Sequence, residues 1–194
     1  MKSDTRQRLI DAFYDAMHTK GYQGVVLDEV LAGAKVHKGS MYHFFKSKKE
    51  LALAAIREKM AKRLENAYLH VLAKEPPYLP HWFATLRDTT LRDFKRGCPI
   101  ANLVQEMSNL DKDFERTMRQ VYIDFRSSFK TVYDKAVEAG ELKPCDTDRL
   151  ALFTLVVLEG AILSVKASGD ENDYLDALSM LEASIEPFRN QMGF

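Results

Sequence analysis

The side chains of this sequence that could do chemistry sit in a few short runs. The first is His37-Lys38-Gly39-Ser40-Met41-Tyr42-His43, which sets cationic, imidazole and hydroxyl groups beside a glycine. On a short helix, His37, Lys38, Ser40, Tyr42 and His43 can all point outward, and Gly39 lets another molecule approach the backbone closely. An exposed helix N-terminus in the same place suits a phosphate. The second run is Lys95-Arg96-Gly97-Cys98-Pro99. Pro99 fits the first position of a helix, which puts Cys98 at its cap. A helix N-terminus with Lys95 and Arg96 nearby is expected to favour the thiolate. The plainer alternative is a small, partly buried residue that closes a helix. The third feature is Glu159, alone in the apolar run 150–165, where a carboxylate must be solvated, paired or functional. None of His18, His37, His43, His70 and His81 has metal-ligand spacing to a second His or Cys, and no nucleophile elbow or phosphate loop is present. A Cys98–His81 pair has no support in the sequence. No catalytic residue, metal site or cofactor is expected, and the chain does not read as an enzyme.

The elements that must position these groups read as helices throughout, because strand-type alternation never persists and Gly and Pro fall between periodic segments. Leu9, Ile10, Phe13, Ala16 and Met17 form the stripe of a first helix, which stops at Lys20-Gly21. Residues 27–34 form a short second helix. Residues 35–37 form a tight turn, and 38–45 a short third helix. Ser47-Lys48-Lys49-Glu50 is a capping box. It opens a long helix carrying Leu53, Ile56, Met60, Leu64, Tyr68 and Val71 on one face. Glu75-Pro76-Pro77 ends that helix. Further helices are expected over 81–94, from Pro99, over 111–139, after a cap at Asp146, and finally along Tyr174, Leu178, Leu181, Ile185 and Phe188. The steps of that last stripe resemble a coiled-coil seam. The run after Asp146 is apolar almost all round, so it must be buried on more than one side.

Two short helices around a three-residue turn make a helix-turn-helix, whose steep crossing needs a small core. Val30, Leu31, Ala34, Val36, Met41 and Phe44 are expected to supply it, with Ala32, Gly33 and Ala34 keeping the crossing close. The charge distribution agrees. The 194 residues carry no net charge, yet residues 1–63 hold 13 Lys/Arg against 7 Asp/Glu and the remainder 15 against 21. A basic head on an acidic body suits a nucleic-acid partner for the head. The two cysteines, Cys98 and Cys145, form neither a C-x-x-C pair nor a disulfide framework. With a polar start, and an apolar run shorter than a membrane helix that also contains Glu159, the expected location is the cytoplasm, with no membrane partner.

The string Val36-His37-Lys38-Gly39-Ser40-Met41-Tyr42-His43-Phe44-Phe45-Lys46-Ser47-Lys48-Lys49-Glu50-Leu51 resembles the signature of the TetR/AcrR family of repressors. The detailed match runs over residues 5–56. The resemblance implies an all-α fold of about nine helices: a three-helix DNA-binding domain, residues 1–50, and a helical ligand-binding and dimerisation domain, residues 51–194. It implies a homodimer through the last two helices on a palindromic double-stranded DNA operator, released when a small-molecule inducer swings the two heads apart. By matching position, Lys38, Ser40, Tyr42 and His43 would touch DNA and Lys48 would meet a phosphate. His37 and Gly39 complete the expected DNA-binding set.

The sequence departs from the family pattern at three points. Val25 and Val26 stand where a hydroxyl usually caps the second helix, so Asp28 is the expected substitute. Lys35 stands where the turn usually holds Gly, and His37 where a Ser is common.

In the body, Trp82, Phe83, Phe94, Tyr122, Phe125, Phe129, Tyr133 and Phe153 read mostly as core. Tyr122, Phe125, Phe129, Glu159 and Cys98 are the candidates for an inducer site. The segment around Cys98 is similar to one in a branch of the family in which some members sense electrophiles or oxidants through a cysteine. A dimeric helical interaction module without DNA binding is the remaining alternative.

Overall fold

The computed structural model describes residues 2–190. Among them the α-helices are α1 (Lys2–Gly24), α2 (Leu27–Gly33), α3 (Lys38–Phe44), α4 (Lys48–Ala67), α5 (Tyr78–Arg87), α6 (Pro99–Met107), α7 (Lys112–Glu138), α8 (Thr147–Ser168) and α9 (Asn172–Ile185), with 3₁₀ turns at Leu69–Ala73, Thr89–Leu91 and Glu186–Phe188. The chain gathers into two compact units, Met1–Lys62 with Pro99–Val121, and Arg63–Cys98 with Tyr122–Phe194. These boundaries differ from the 1–50 and 51–194 division expected from sequence. The start of α4, all of α6 and the start of α7 pack with the N-terminal helices, because their apolar faces complete the same core.

In the first unit Leu9, Ile10, Phe13 and Met17 of α1 are buried together with Val30, Leu31, Val36, Met41 and Phe45. Phe45, not the half-buried Phe44, fills the helix-turn-helix core. Ala32 and Gly33 are exposed, and a Cβ on Gly33 would meet nothing, so Ala34 alone lines the crossing. α2 starts after Val26 without a side-chain cap bond. Asp28, one residue inside the helix, instead pairs with Lys38 Nζ at 3.1 Å. His37 stands at the N-cap of α3 but makes no side-chain cap bond; its carbonyl accepts from Ser40 and Met41. The capping box at α4 forms, with Ser47 Oγ accepting from Glu50 N–H at 3.1 Å, while the Glu50 carboxylate reaches back to Lys46 N–H at 2.7 Å.

Lys35 adopts φ 54°, the left-handed conformation that its place in the turn demands. A Cβ there costs about 1–2 kcal/mol, partly offset in a glycine variant by its freer unfolded chain. Lys35→Gly is therefore expected to stabilise the protein by about 0.5–1 kcal/mol. The check is a urea midpoint that rises with an unchanged slope.

α1 and α6 are joined by a contact no local pattern announces. The Glu106 carboxylate accepts from the backbone N–H of Tyr22 at 2.9 Å and of Gln23 at 2.8 Å. Gly21, at φ 71°, lies directly beneath it, where a Cβ would come within 2.7 Å of the carboxylate. α4 is tied to the start of α7 by Lys49, which bonds Asp111 at 2.8 Å and Asp113 at 2.5 Å, and by Arg57, which donates to Thr117 at 3.0 Å.

The second unit is built around aromatic rings. Trp82, Tyr133 and Tyr174 are fully buried, and Trp82 meets Phe129 edge-on at 4.9 Å. Trp82 Nε1–H donates to Tyr133 Oη at 3.3 Å, which in turn lies 2.7 Å from Thr154 Oγ1. Thr154 also donates to the Leu150 carbonyl at 2.9 Å, so the chain of polar groups is closed inside the core. α5 begins at Tyr78, earlier than expected, because buried Glu141 caps it by accepting from the N–H groups of Tyr78 and Leu79. Asp146 caps α8 by accepting from Arg149 N–H at 3.0 Å.

α8 is long and apolar enough to cross a membrane by length and composition, which corrects the expectation that the run was too short. Its buried face, including Leu155, Leu158, Ala161, Ile162 and Val165, packs in the core of the second unit against α9. The opposite face carries exposed Leu152, Phe153, Val156 and Leu163, so within one chain α8 is not buried on both sides.

Candidate functional site

α3 brings six of the expected residues together on one exposed surface. His37, Lys38, Gly39, Ser40, Tyr42 and His43 are all solvent-facing, while Met41 points inward and anchors the helix. Gly39 is the second residue of α3. A Cβ there would meet open space, so the glycine leaves the backbone of the first turn open to close approach. Lys38 holds its ion pair with Asp28 at the surface, where such pairs contribute little and are easily exchanged.

Lys48 is placed differently. Its ammonium donates to the Tyr22 carbonyl at 2.8 Å and lies 4.5 Å above the Tyr22 ring. Partial burial there pulls its pKa down. The structure thus turns this side chain toward the first unit's own backbone and does not join it to the α3 surface.

The other candidates converge in the second unit. Cys98 Sγ donates to Glu159 Oε1 at 3.2 Å. Burial pushes the Glu159 carboxyl up from its ordinary value, against the opposing pull of the Cys98 hydrogen bond and of Arg63 and Arg92. Tyr122 is raised by burial and by its nearness to Glu159 and Cys98. Of the expected cationic neighbours of Cys98, Arg96 pairs with Asp93 at 2.5 Å, and Lys95 is exposed. The immediate partner of the thiol is therefore an acid. Phe125 and Phe129 stand against Tyr68, at 5.8 and 5.1 Å between ring centres. Phe129 is fully buried as part of the core, whereas Phe125 and Tyr122 are only partly covered. Phe153 faces outward.

Sequence reasoning missed Arg63 and Arg92. Arg63 donates to the Leu91 carbonyl at 3.0 Å, and Arg92 Nε donates to Tyr174 Oη at 3.0 Å. No periodicity marks either residue, because each is a long side chain folded inward from a polar stretch. Among the described residues, no group of three or more His, Cys, Asp or Glu is placed to hold a metal ion.

A helix-turn-helix with an exposed polar second helix, followed by an all-helical body, is the architecture of a DNA-binding regulator. Residues 9–55 match the pattern described as bacterial regulatory proteins, tetR family, and residues 78–181 match the tetracyclin repressor-like C-terminal domain. The chain is 34% identical over 165 residues to the transcriptional regulator AcuR of Cereibacter sphaeroides, which covers 82% of this chain and 75% of that protein. It is 26% identical over 170 residues to the HTH-type transcriptional repressor DhaR of a Mycobacterium species, covering 85% and 84%. The crystal structure of the reduced form of Escherichia coli NemR shares the fold, with a TM-score of 0.84 at 24% identity over 93% of this chain and 96% of that one. This chain belongs to the TetR family of transcriptional regulators, with an N-terminal helix-turn-helix domain and a C-terminal helical domain.

Proposed function

We propose that this protein is a cytoplasmic transcriptional repressor. As a homodimer through α8 and α9, it holds a palindromic DNA operator and lets go when a small-molecule inducer binds its body. The observation that carries this reading is the α3 surface, where His37, Lys38, Gly39, Ser40, Tyr42 and His43 are displayed together and Gly39 leaves the backbone of the first turn open to close approach. In functional terms, residues 1–50 form the DNA-reading head and residues 51–194 the effector and dimerisation part. Lys48 adds a phosphate contact once its ammonium leaves Tyr22. Tyr122, Phe125, Glu159 and Cys98 contribute to the inducer site, with Phe129 as its floor. An inducer acts only through unequal affinity for the DNA-fitting and DNA-releasing states. The test is fluorescence anisotropy of purified protein on DNA from upstream of its own gene, across a salt series. Tight, salt-sensitive binding supports the reading. Failure on that fragment and on a genome-wide selection of fragments leaves the helical interaction module as the better account.

A second reading, thiol sensing at Cys98, is favoured by the 3.2 Å contact with Glu159. When an electrophile forms a carbon–sulfur bond at Sγ, this carboxylate is placed to take the thiol proton. Cys98→Ser is then expected to lose the response to alkylating inducers while keeping operator binding. An unchanged response to every inducing compound would dispose of this reading.

A further inference from the structure

The second unit holds a guanidinium whose two outer nitrogens have no acceptor. Arg92 Nη1 and Nη2 are both sealed from solvent without an acceptor, and Oε2 of Glu159 is sealed without a donor. The rest of the Arg92 head is fixed. Nε donates to Tyr174 Oη, which itself donates to the Leu86 carbonyl at 2.8 Å. The guanidinium also stands against the rings of Tyr68 and Tyr174, at 5.6 and 5.7 Å. A side chain held this firmly, with two charged donors left over, is oriented toward something it does not find within the chain. Buried arginines are as a rule paired, because an uncompensated charge in a low-dielectric site is among the costliest arrangements a fold can keep.

The surroundings select the missing group. Arg63 and Arg92 both act on Glu159, and Asp88 acts on Arg92, yet neither acid bonds Nη1 or Nη2. The two donors of the Arg92 fork are therefore left for an anion. Two parallel N–H donors on a planar fork match the two oxygens of a carboxylate. The aromatic rings that begin at Tyr68 and continue to Phe125 at 5.8 Å offer an apolar wall for the remainder of the ligand.

We infer that the effector of this protein is a small organic acid whose single carboxylate is held in a fork by Nη1 and Nη2 of Arg92, with its apolar body against Tyr68 and Phe125. The inference rests on the inducer reading above and names the chemical class of that inducer. Glu159 Oε2 supplies a second polar point for a hydroxyl or other donor on the same ligand.

The experiment compares sodium acetate, butyrate and benzoate with sodium chloride of equal concentration and with acetamide, butyramide and benzamide, following thermal unfolding of the full-length wild type, Arg92→Met and Arg92→Lys. Ligands that bind only the folded state raise Tm. At least one acid is expected to raise the wild-type Tm by about 3 °C at tens of millimolar, with its amide at least tenfold weaker. Arg92→Met is expected to abolish the difference between acid and amide. Arg92→Lys, which keeps the charge without the fork, is expected to retain only part of it. If the acids match chloride on the wild type, the inference is wrong even should Arg92→Met fail to fold. Equal responses of wild type and a folded Arg92→Met would overturn it as well. Operator release, measured in parallel, separates the two readings. Release by neutral compounds but never by acids would sink the carboxylate fork and leave the inducer reading standing. An Arg92-dependent Tm response to acids, with no compound of any charge altering DNA occupancy, would uphold the fork and remove the inducer reading.

Discussion

Replacing Lys38 and His43 together by alanine is expected to lower operator affinity by about a hundredfold at physiological salt, at an unchanged fold. Each contact of a side chain with a base edge or phosphate supports roughly 1–3 kcal/mol of binding, so two lost contacts bracket that figure. The salt dependence gives a sharper signature than the affinity. Removing a lysine that neutralises one phosphate lowers the slope of log K against log salt by about one. The starting ion pair with Asp28 does not protect Lys38 from this accounting, since it lies at the surface, where exchanging a carboxylate for a phosphate costs little. Both residues are exposed, and neither belongs to the core built on Met41 and Phe45, so thermal stability is expected to stay within about 0.5 kcal/mol of wild type. Fluorescence anisotropy at several salt concentrations, beside a thermal melt, decides it. Wild-type affinity in the double variant would move DNA recognition off this face of α3.

The parts of this protein legible in the sequence are those whose causes are local. The turn at Lys35, the capping box at Ser47 and Glu50, the cap at Asp146 and the inward Met41 each follow from residues a few positions apart, where spacing and side-chain type decide the geometry. The parts that escaped are set by partners far along the chain. Glu106 caps the segment after Gly21 from more than eighty residues away, and Glu141 caps α5 from more than sixty. Neither carboxylate differs in sequence from its solvated neighbours. Asp28 reads as a helix cap by type, but it lies inside α2 and found a better partner in Lys38. Cys98 was read from its neighbours Lys95 and Arg96, yet its geometry is set by Glu159 on α8. Lys48 fits a phosphate site by position, but a long flexible side chain can turn inward, and here the carbonyl and ring of Tyr22 hold it. Long charged side chains are thus where the local reading is weakest, and Arg92, which it passed over, is the clearest instance.

The exposed face of α8 carries the other large effect. A helix apolar on all sides has to be covered on all sides, and one chain covers only half of it. Val156 and Leu163 remain 59% and 58% exposed, with Leu152 and Phe153 beside them and Met180 of α9 at 73%. Val156 and Leu163 are seven residues apart, two turns along one stripe. Between them Gly160 has open space where a Cβ would lie, so a second helix can come close to the backbone there. Burying a valine or leucine of this kind contributes about 1.5–3 kcal/mol, and a two-fold seam counts each residue twice. Val156→Glu with Leu163→Glu would place four carboxylates in such a seam, where like charges taken out of water are strongly unfavourable. The double variant is expected to dissociate at least a hundredfold more readily and to sediment as a monomer at micromolar concentration, with its helical content retained, since neither side chain touches the core of its own chain. Operator affinity should fall with it, because a monomer engages one half-site where the dimer engages two and loses the advantage of linked binding. Analytical ultracentrifugation of both proteins is the direct check. A variant that stays dimeric would show that this apolar face is not the seam. One that becomes monomeric yet holds a palindromic operator as tightly as wild type would show that the two heads do not need each other.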